Sequence, residues 1–429
     1  MYAGLSNLAR RKQNSIMSLN LRWVGEESFE RVAETRMRCY AASANLLPRF
    51  IDGLGKIRRE QPGDILLAEK NGEAVGTSTS LSMHIHMRGG RIACQGVAYV
   101  GTIKTARRLG AGEQHGVASQ LMRETLRKAR EREQPISALM PFRASYYEHF
   151  GYGNAERRAE WTVPLSILPK GDFAGYRFYR DSDLPRLMAM RHAECQRGQC
   201  DIETSPEAWQ IWMSQWPDGM VAVDAGDSTS DGDLQSMVYF LEDRSGPSAT
   251  IKIADWCADS PTAMLRLFRF LASLKDQYSE VRITLPGDFP LNRILRESQI
   301  PHRQVDHPVP AVRPFTRMQI RILDHARALQ AMKLPSATSG KTTLLIRECE
   351  GTESRFTVDV DQGSIAVVPT SQSPALEISD VLWASIVSGD LRATAAQCVG
   401  LLPASTSPAT LTLLDAFSDG PTPFCQEYF

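Results

Sequence analysis

The pattern of apolar and polar positions divides the chain into three stretches of mixed strand and helix. From Leu21 it reads as a strand (LRWVG), a helix from Glu27 into Ala41, a second helical stretch near 45–58, and strands at 64–69 and 74–87. Asn71-Gly72 supplies a hairpin signal between those two strands, and Gly89-Gly90 supplies another before the strand RIACQGVAYVGTI, so three consecutive strands form a meander. A glycine-rich loop follows. The segment from Val117 to Glu133 then places Val117, Leu121, Leu126 and Ala129 near one helical face, while its charged half, RETLRKARERE, reads as a solvated face.

The second stretch repeats the theme, with a strand near 161–165, a helix at Asp181 to Cys195, strands near 219–224 and 235–242, a helix at Thr262 to Lys275 and the strand VRITLP. The Asp/Gly/Ser run from Asp224 to Asp233 is a turn-rich exposed loop. Pro308, Pro310 and Pro314 mark an extended linker, because proline and the residue before it resist helix. A third stretch opens with MQIRILDHARALQAM and carries strands near 343–347, 355–359 and 364–368. The fold class is α+β.

Length supports this division, since 429 residues exceed what one hydrophobic core organises. The expected extents are a loose leader over 1–18 and domains over 19–160, 161–310 and 311–429. Lys+Arg and Asp+Glu balance at 49 each, which argues against a surface built to neutralise nucleic-acid phosphates. Eight cysteines without CxxC pairs read as reduced thiols of a cytoplasmic protein. The residues after Arg10, Arg11 and Lys12 are polar where a signal peptide is apolar, and no segment has the roughly 18 apolar residues of a membrane span.

Candidate chemistry begins in the loop VGTIKTARRLGAGEQHG, which sets Arg107, Arg108, Gly110, Gly112 and Gly116 between a strand and a helix N-terminus. First-turn N–H groups and the helix dipole favour a pyrophosphate there, and glycines let the backbone come close to it. Strand-to-helix loops of this kind also occur without a ligand. The spacing Arg107-x-x-Gly110-x-Gly112 resembles the acetyl-CoA signature of GNAT enzymes. The segment LMPFRASYYEHFGYGNA (139–155) looks like the PFRxxFYxxFGYG segment of the Eis-type (enhanced intracellular survival) acetyltransferases. IRILDHARALQAM (320–332) resembles that family's WxRxxDxxxALxxR pattern, and the chain ends on phenylalanine as those proteins do. The loop is longer than the family's by about six residues, GAGEQH, so the phosphate contacts of its individual residues stay open.

The resemblance implies two GNAT-type mixed-sheet domains followed by a sterol-carrier-protein-like α+β domain that brings the C-terminus to the first domain's active site. It implies an N-acetyltransferase moving acetyl from acetyl-CoA to a primary amine by direct attack through a tetrahedral intermediate. The acceptor would be a polyamine, an aminoglycoside-like molecule or a lysine amine. Tyr147 takes the general-acid position and the Phe429 carboxylate the general-base position, with backbone N–H groups around Val100, Gly101 and Thr102 meeting the oxyanion. A carboxylate with a reference pKa near 3.5 is a weak base, so orienting water and attracting an ammonium are its larger contributions. A homo-oligomer is also implied, with a hexamer among its forms, and no metal.

Other features are read as structural. His84 and His86 alternate on a strand without a ligand set around them, and are taken as surface residues. Ser339-Gly340-Lys341-Thr342 mimics the end of a phosphate-binding loop, but Pro335 stands where that loop needs its first glycine. His115 could touch phosphate, and His149, Tyr146 and Tyr152 read as packing. The competing function is a non-catalytic GNAT scaffold holding an acyl-CoA or lipid.

Overall fold

A computed structural model describes residues 19–60, 63–106, 116–214, 216–226, 232–246, 248–299 and 308–429. The expected leader 1–18 lies outside them, as does much of the 224–233 loop. The described residues form two compact units, one drawn from residues up to 55, 64–79 and 99–124, the other holding the remainder.

Up to residue 155 the elements are β1 (Asn20–Val24), α1 (Phe29–Tyr40), α2 (Leu47–Glu60), β2 (Gly63–Lys70), β3 (Glu73–Met87), β4 (Gly90–Thr102), α3 (Val117–Glu131), β5 (Ile136–Leu139), α4 (Ala144–Glu148) and β6 (Gly153–Asn154). β3, β4 and α3 run through both units. Asn71 and Gly72 both take positive φ between β2 and β3, as a tight hairpin requires. At the next hairpin the positive-φ pair is Arg88-Gly89, one residue before the expected Gly89-Gly90. Gly90 is glycine for another reason: a Cβ there would lie 2.0 Å from the Ala331 carbonyl oxygen.

Within the first unit β1 pairs antiparallel with β2, from Asn20 opposite Glu69 to Val24 opposite Ile65. The apolar run of β2 is explained by helices on both of its faces. Ile65 and Leu67 pack with Phe29, Val32, Ala33 and Leu54 of α1 and α2. Leu66 and Ala68 point the other way and pack with Val117 and Leu121 of α3.

In the second unit the sheet order is β3-β4-β5-β15-β6, where β15 is Gln319–Ile322. Its second sheet is built from β7 (Arg158–Pro164), β8 (Tyr176–Phe178), β10 (Met220–Asp224), β11 (Ser236–Asp243), β12 (Thr250–Ala258), β13 (Glu280–Pro286) and β14 (Ala311–Phe315), in the order β14-β7-β13-β12-β11-β10-β8. Helix α7 (Pro261–Ser273) covers one side of it through Met264, Leu267, Phe268 and Leu271. α5 (Leu184–Arg197) and α6 (Pro206–Met213) supply Leu187, Met190 and Trp209 to a further core. β9 (Asp201–Ile202) lies against β3, Ile202 opposite Ile85.

The segment expected to open a third domain first completes both earlier sheets. β14 pairs with β7, and its Pro314 is tolerated because β14 is an edge strand. β15 (Gln319–Ile322) then pairs antiparallel with β5 and β6. After α8 (His325–Gln330) come β16 (Gly340–Arg347), β17 (Glu353–Asp361), β18 (Ser364–Pro369) and β19 (Leu376–Ser379), in the order β18-β17-β16-β19, then α9 (Asp380–Val387), α10 (Ala393–Cys398) and α11 (Pro408–Asp415). One continuous apolar core joins Leu81, Met83 and Ile85 of β3 to Trp383 of α9 and Leu414 of α11. Ser339-Gly340-Lys341-Thr342 does not form a turn: Ser339 stands just before β16, and Gly340, Lys341 and Thr342 are its first three residues.

Candidate active site

β4 carries one group of candidate residues, and it loses a neighbour midway. It pairs parallel with β5 from Cys94 opposite Ile136 to Val97 opposite Leu139, where β5 ends while β4 continues to Thr102. Just beyond the last pair, Tyr99 takes φ +52°, a left-handed conformation that is costly for an aromatic residue within a strand. Tyr99 is steadied by Arg36 of α1, whose guanidinium carbon stands 4.0 Å from its ring centroid. Arg36 is buried, donates to Thr79 Oγ1 at 2.6 Å, and is pulled down to about 10 by that burial. Burial likewise pushes the Tyr40 phenol up to about 12. Neither Arg36 nor Tyr99 is prominent in the sequence, yet Arg36 falls on the apolar stripe of α1 with Phe29, Val32 and Ala33. A charge in such a stripe was the available signal.

Val100, Gly101 and Thr102 follow on the same strand. A Cβ on Gly101 would lie 2.9 Å from the Cys39 Cβ, so α1 packs directly on the backbone there. The Thr102 hydroxyl is buried with no hydrogen-bond partner among the described residues. Gly116 stands immediately before α3, and its carbonyl accepts from Ser119 and Gln120. Arg107, Arg108, Gly110, Gly112 and His115 lie outside the described residues.

Another group of candidate residues follows β5. Tyr147 on α4 is 5% exposed, with Phe142, Tyr146 and Tyr152 packed edge-on or tilted around one another and around it, at 5.9, 5.0 and 6.2 Å from its ring. Tyr152 is buried beneath it. Its hydroxyl is 2.6 Å from Ser137 Oγ, which donates to Gln95 Oε1, while Gln95 Nε2 donates to Ser80 Oγ and the Thr125 carbonyl. Since the Ser137 proton is committed to Gln95, Tyr152 donates to Ser137, and burial raises its pKa. Its proton is therefore structural. Phe142 is 78% exposed beside this cluster, and His149 Nδ1 is satisfied by the Ser145 carbonyl at 2.8 Å.

The chain's last segment docks in the same unit. A Cβ on Gly96 of β4 would lie 3.1 Å from Phe429 Cδ2, so the terminal ring rests on the strand at the pair Gly96–Ala138. The tail upstream is fastened by two buried carboxylates and a half-buried arginine. Glu156 accepts from the Cys425 amide at 3.0 Å, Asp201 accepts from the Gln426 amide at 2.9 Å, and Arg317 donates to the Cys425 and Glu427 carbonyls at 2.7 and 2.9 Å. Glu427 is itself buried, bonded to Thr204, and raised to about 7 by burial. That position removes it from the acceptor-recruiting role that its place near the terminus suggests.

His86, read as a surface residue, is buried and bonded to Glu203 at 2.8 Å, with Arg91 holding the same carboxylate at 2.7 and 2.8 Å. No group of metal-ligating side chains occurs among the described residues, and no helix there is long and apolar enough to cross a membrane.

Two family models match the chain, each described as an acetyltransferase (GNAT) domain, one over residues 20–155 and the other over 202–322. The chain belongs to the GNAT acetyltransferases. It is 25% identical over 389 residues to a protein of Streptomyces griseus described as an uncharacterized N-acetyltransferase, covering 83% of this chain and 87% of that one. A Streptomyces avermitilis protein of the same description is 23% identical, with 86% and 89% covered. Among solved structures, a GCN5-related N-acetyltransferase from Anabaena variabilis superposes with a TM-score of 0.81 at 19% identity, covering 96% of this chain and all of that one. Eis1 from Mycobacterium abscessus superposes with a TM-score of 0.75 at 19% identity and the same coverage. This GNAT enzyme is thus an N-acetyltransferase that is Eis-like in fold.

Proposed function

We propose that this enzyme transfers acetyl from acetyl-CoA to a primary amine, with Tyr147 as general acid and the Phe429 carboxylate as the group that attracts and deprotonates the incoming ammonium. The observation that carries this reading is the placement of Tyr147 and the terminal ring after β5 and upon β4, the strand pair whose hydrogen bonding stops at Val97 and Leu139. Backbone N–H groups released where β5 ends suit a developing oxyanion, and those around Val100, Gly101 and Thr102 are assigned that work. GNAT acetyltransferases draw their acetyl group from acetyl-CoA, and the N-terminus of α3 after Gly116 suits its pyrophosphate. Arg107, Arg108, Gly110 and Gly112 would add contacts from the loop.

The amine nitrogen bonds to the thioester carbonyl carbon to give a tetrahedral oxyanion, which collapses as the carbon–sulfur bond breaks. The Tyr147 phenol proton passes to the leaving sulfur, and the proton lost from the ammonium passes toward the Phe429 carboxylate, directly or through water. A phenol is a poor donor to a thiolate in bulk water, so the transfer occurs as the sulfur departs. The exposed Phe142 face beside Tyr147 offers a cation–π contact to a polyamine, an aminoglycoside-like amine or a lysine. The domain extents follow as 19–160, 161–310 and 311–429, the last sterol-carrier-protein-like and lending β14 and β15 back to the earlier sheets. A cytoplasmic homo-oligomer, with a hexamer as the candidate form, completes the reading.

The test is Tyr147→Phe, which keeps the ring in its aromatic cluster and removes only the hydroxyl. Turnover should fall by about two to four orders of magnitude with melting temperature and acetyl-CoA affinity preserved. Turnover equal to the parent would remove Tyr147 from the acid role.

A further inference from the structure

Chain ends are ordinarily loose, but residues 423–427 are held without any strand partner. The Arg157 amide donates to the Pro423 carbonyl at 3.0 Å, and the Phe424 amide donates to the Gln199 carbonyl at 2.9 Å. The Cys425 and Gln426 amides go to the buried carboxylates of Glu156 and Asp201. Arg191 reaches the Gln426 side chain, and Thr204 that of Glu427.

One side chain spans the end of this segment. Arg317 Nη2 donates to the carbonyls of Cys425 at 2.7 Å, Glu427 at 2.9 Å and, more weakly, Gln426 at 3.5 Å. Its guanidinium carbon lies 5.6 Å from the centroid of the Tyr428 ring. Its own amide donates to Glu156 Oε1 at 2.8 Å, and Glu156 Oε2 accepts from the Cys425 amide, so one carboxylate ties the backbone of Arg317 to the tail. Arg317 is fixed in turn because it sits between β14 and β15, which are paired into two sheets at Phe315–Arg158 and Gln319–Leu139. Among the described residues, hydrogen bonds to the tail end at Glu427. Tyr428 is 58% exposed, and Phe429 touches β4 through its ring.

We infer that Arg317 is a positioning residue for the Phe429 carboxylate: its guanidinium, bridging three tail carbonyls, sets the direction in which the last two residues run on from Glu427. The inference rests on the reading of that carboxylate as the group that receives the ammonium proton. A guanidinium suits the task because its Nη2 reaches the tail carbonyls while its carbon stays 5.6 Å from the centre of the Tyr428 ring, a span that the single nitrogen of a lysine does not cover. Removing it leaves Glu156 and Asp201 still holding the Cys425 and Gln426 amides, so the tail pivots rather than detaches. A displacement of about 1 Å at a reacting group costs up to roughly a hundredfold in rate.

The experiment uses the full chain carrying Arg317→Ala. The expected result is a kcat lower by roughly tenfold to a hundredfold, an unchanged KM for acetyl-CoA, partial recovery of kcat with millimolar guanidinium, and faster release of Phe429 by carboxypeptidase. Parental kcat together with parental resistance to carboxypeptidase would overturn the inference. If Arg317→Ala does not fold, Arg317→Lys takes its place: it keeps the charge, so faster release of Phe429 supports the inference and parental resistance overturns it. A chain lacking Phe429 separates the two ideas. Full turnover there overturns the carboxylate reading and the inference with it, whereas lost turnover there beside parental behaviour of the Arg317 variant overturns the positioning alone.

Discussion

Tyr99 and Gly96 lie on one strand and do opposite things with their backbones. Tyr99 accepts a left-handed conformation despite its side chain, held by the buried Arg36 guanidinium. Gly96 gives up a side chain so that Met83 and the terminal ring can lie on the strand, since a Cβ there would be 2.5 Å from Met83 Cε and 3.1 Å from Phe429 Cδ2. Met83 has a flexible end and can yield, but a branched side chain would also have to displace Phe429. Gly96→Val should therefore lower kcat by roughly tenfold or more at a melting temperature within a few degrees of the parent, measured by steady-state kinetics and thermal unfolding. An unaltered kcat would mean that the ring's seat is immaterial. At this scale the sequence pointed to Tyr147 and Phe429 through family resemblance, and to nothing on the tail's anchors. Glu156, Asp201 and Arg317 are far apart along the chain, and no local spacing links a carboxylate to an amide across such separations.

The glycines of the segment FGYGN are explained by an element that begins more than two hundred residues later. Gly151 takes φ +76° with Asp380 against it, and a Cβ on Gly153 would lie 2.0 Å from the Val381 carbonyl oxygen, so the first turn of α9 rests on bare backbone. Because the obstructing atom is backbone, Gly153→Ala cannot be relieved by a rotamer change. We expect a loss of about 2–3 kcal/mol in unfolding free energy, read by denaturant titration. A loss below about 0.5 kcal/mol would contradict this packing. Most elements up to β18 were legible from periodicity and turn residues. β5 was missed because ISAL is too short to show a period, and α9 because DVLWASIV is apolar on most sides and shows no stripe. The linker expected at Pro308 to Pro314 contains β14, since proline also fits an edge strand and sequence cannot tell the two apart.

At the scale of the whole molecule, the tail couples stability to pH. Glu427 is buried facing Thr204, with Arg191 lowering and Asp201 and Asp255 raising its pKa, and burial lifts it from its ordinary 4.5 to about 7. The folded protein thus holds a proton that the unfolded chain has already released. This contribution to stability is complete below about 4.5 and is lost as pH rises through about 7. Thermal unfolding followed from about pH 6 to about pH 8 should show a melting temperature that falls, and Glu427→Gln should flatten the fall. An equal slope in both proteins would contradict the assignment. The three-part plan was legible from motifs at residues 139–155 and 320–332, but the exchange of strands between sheets was not, since pairing partners leave no mark on a single sequence.

The central claim is that this GNAT enzyme acetylates an amine using acetyl-CoA. The most direct measurement is release of free thiol from acetyl-CoA, followed with mass analysis of the acceptor, across a panel of polyamines, aminoglycosides and lysine peptides. The expected result is thiol release that depends on the amine and matches, mole for mole, a gain of one acetyl group on that amine. Folded protein that releases thiol with none of these amines, or releases it without acetylating them, would contradict it.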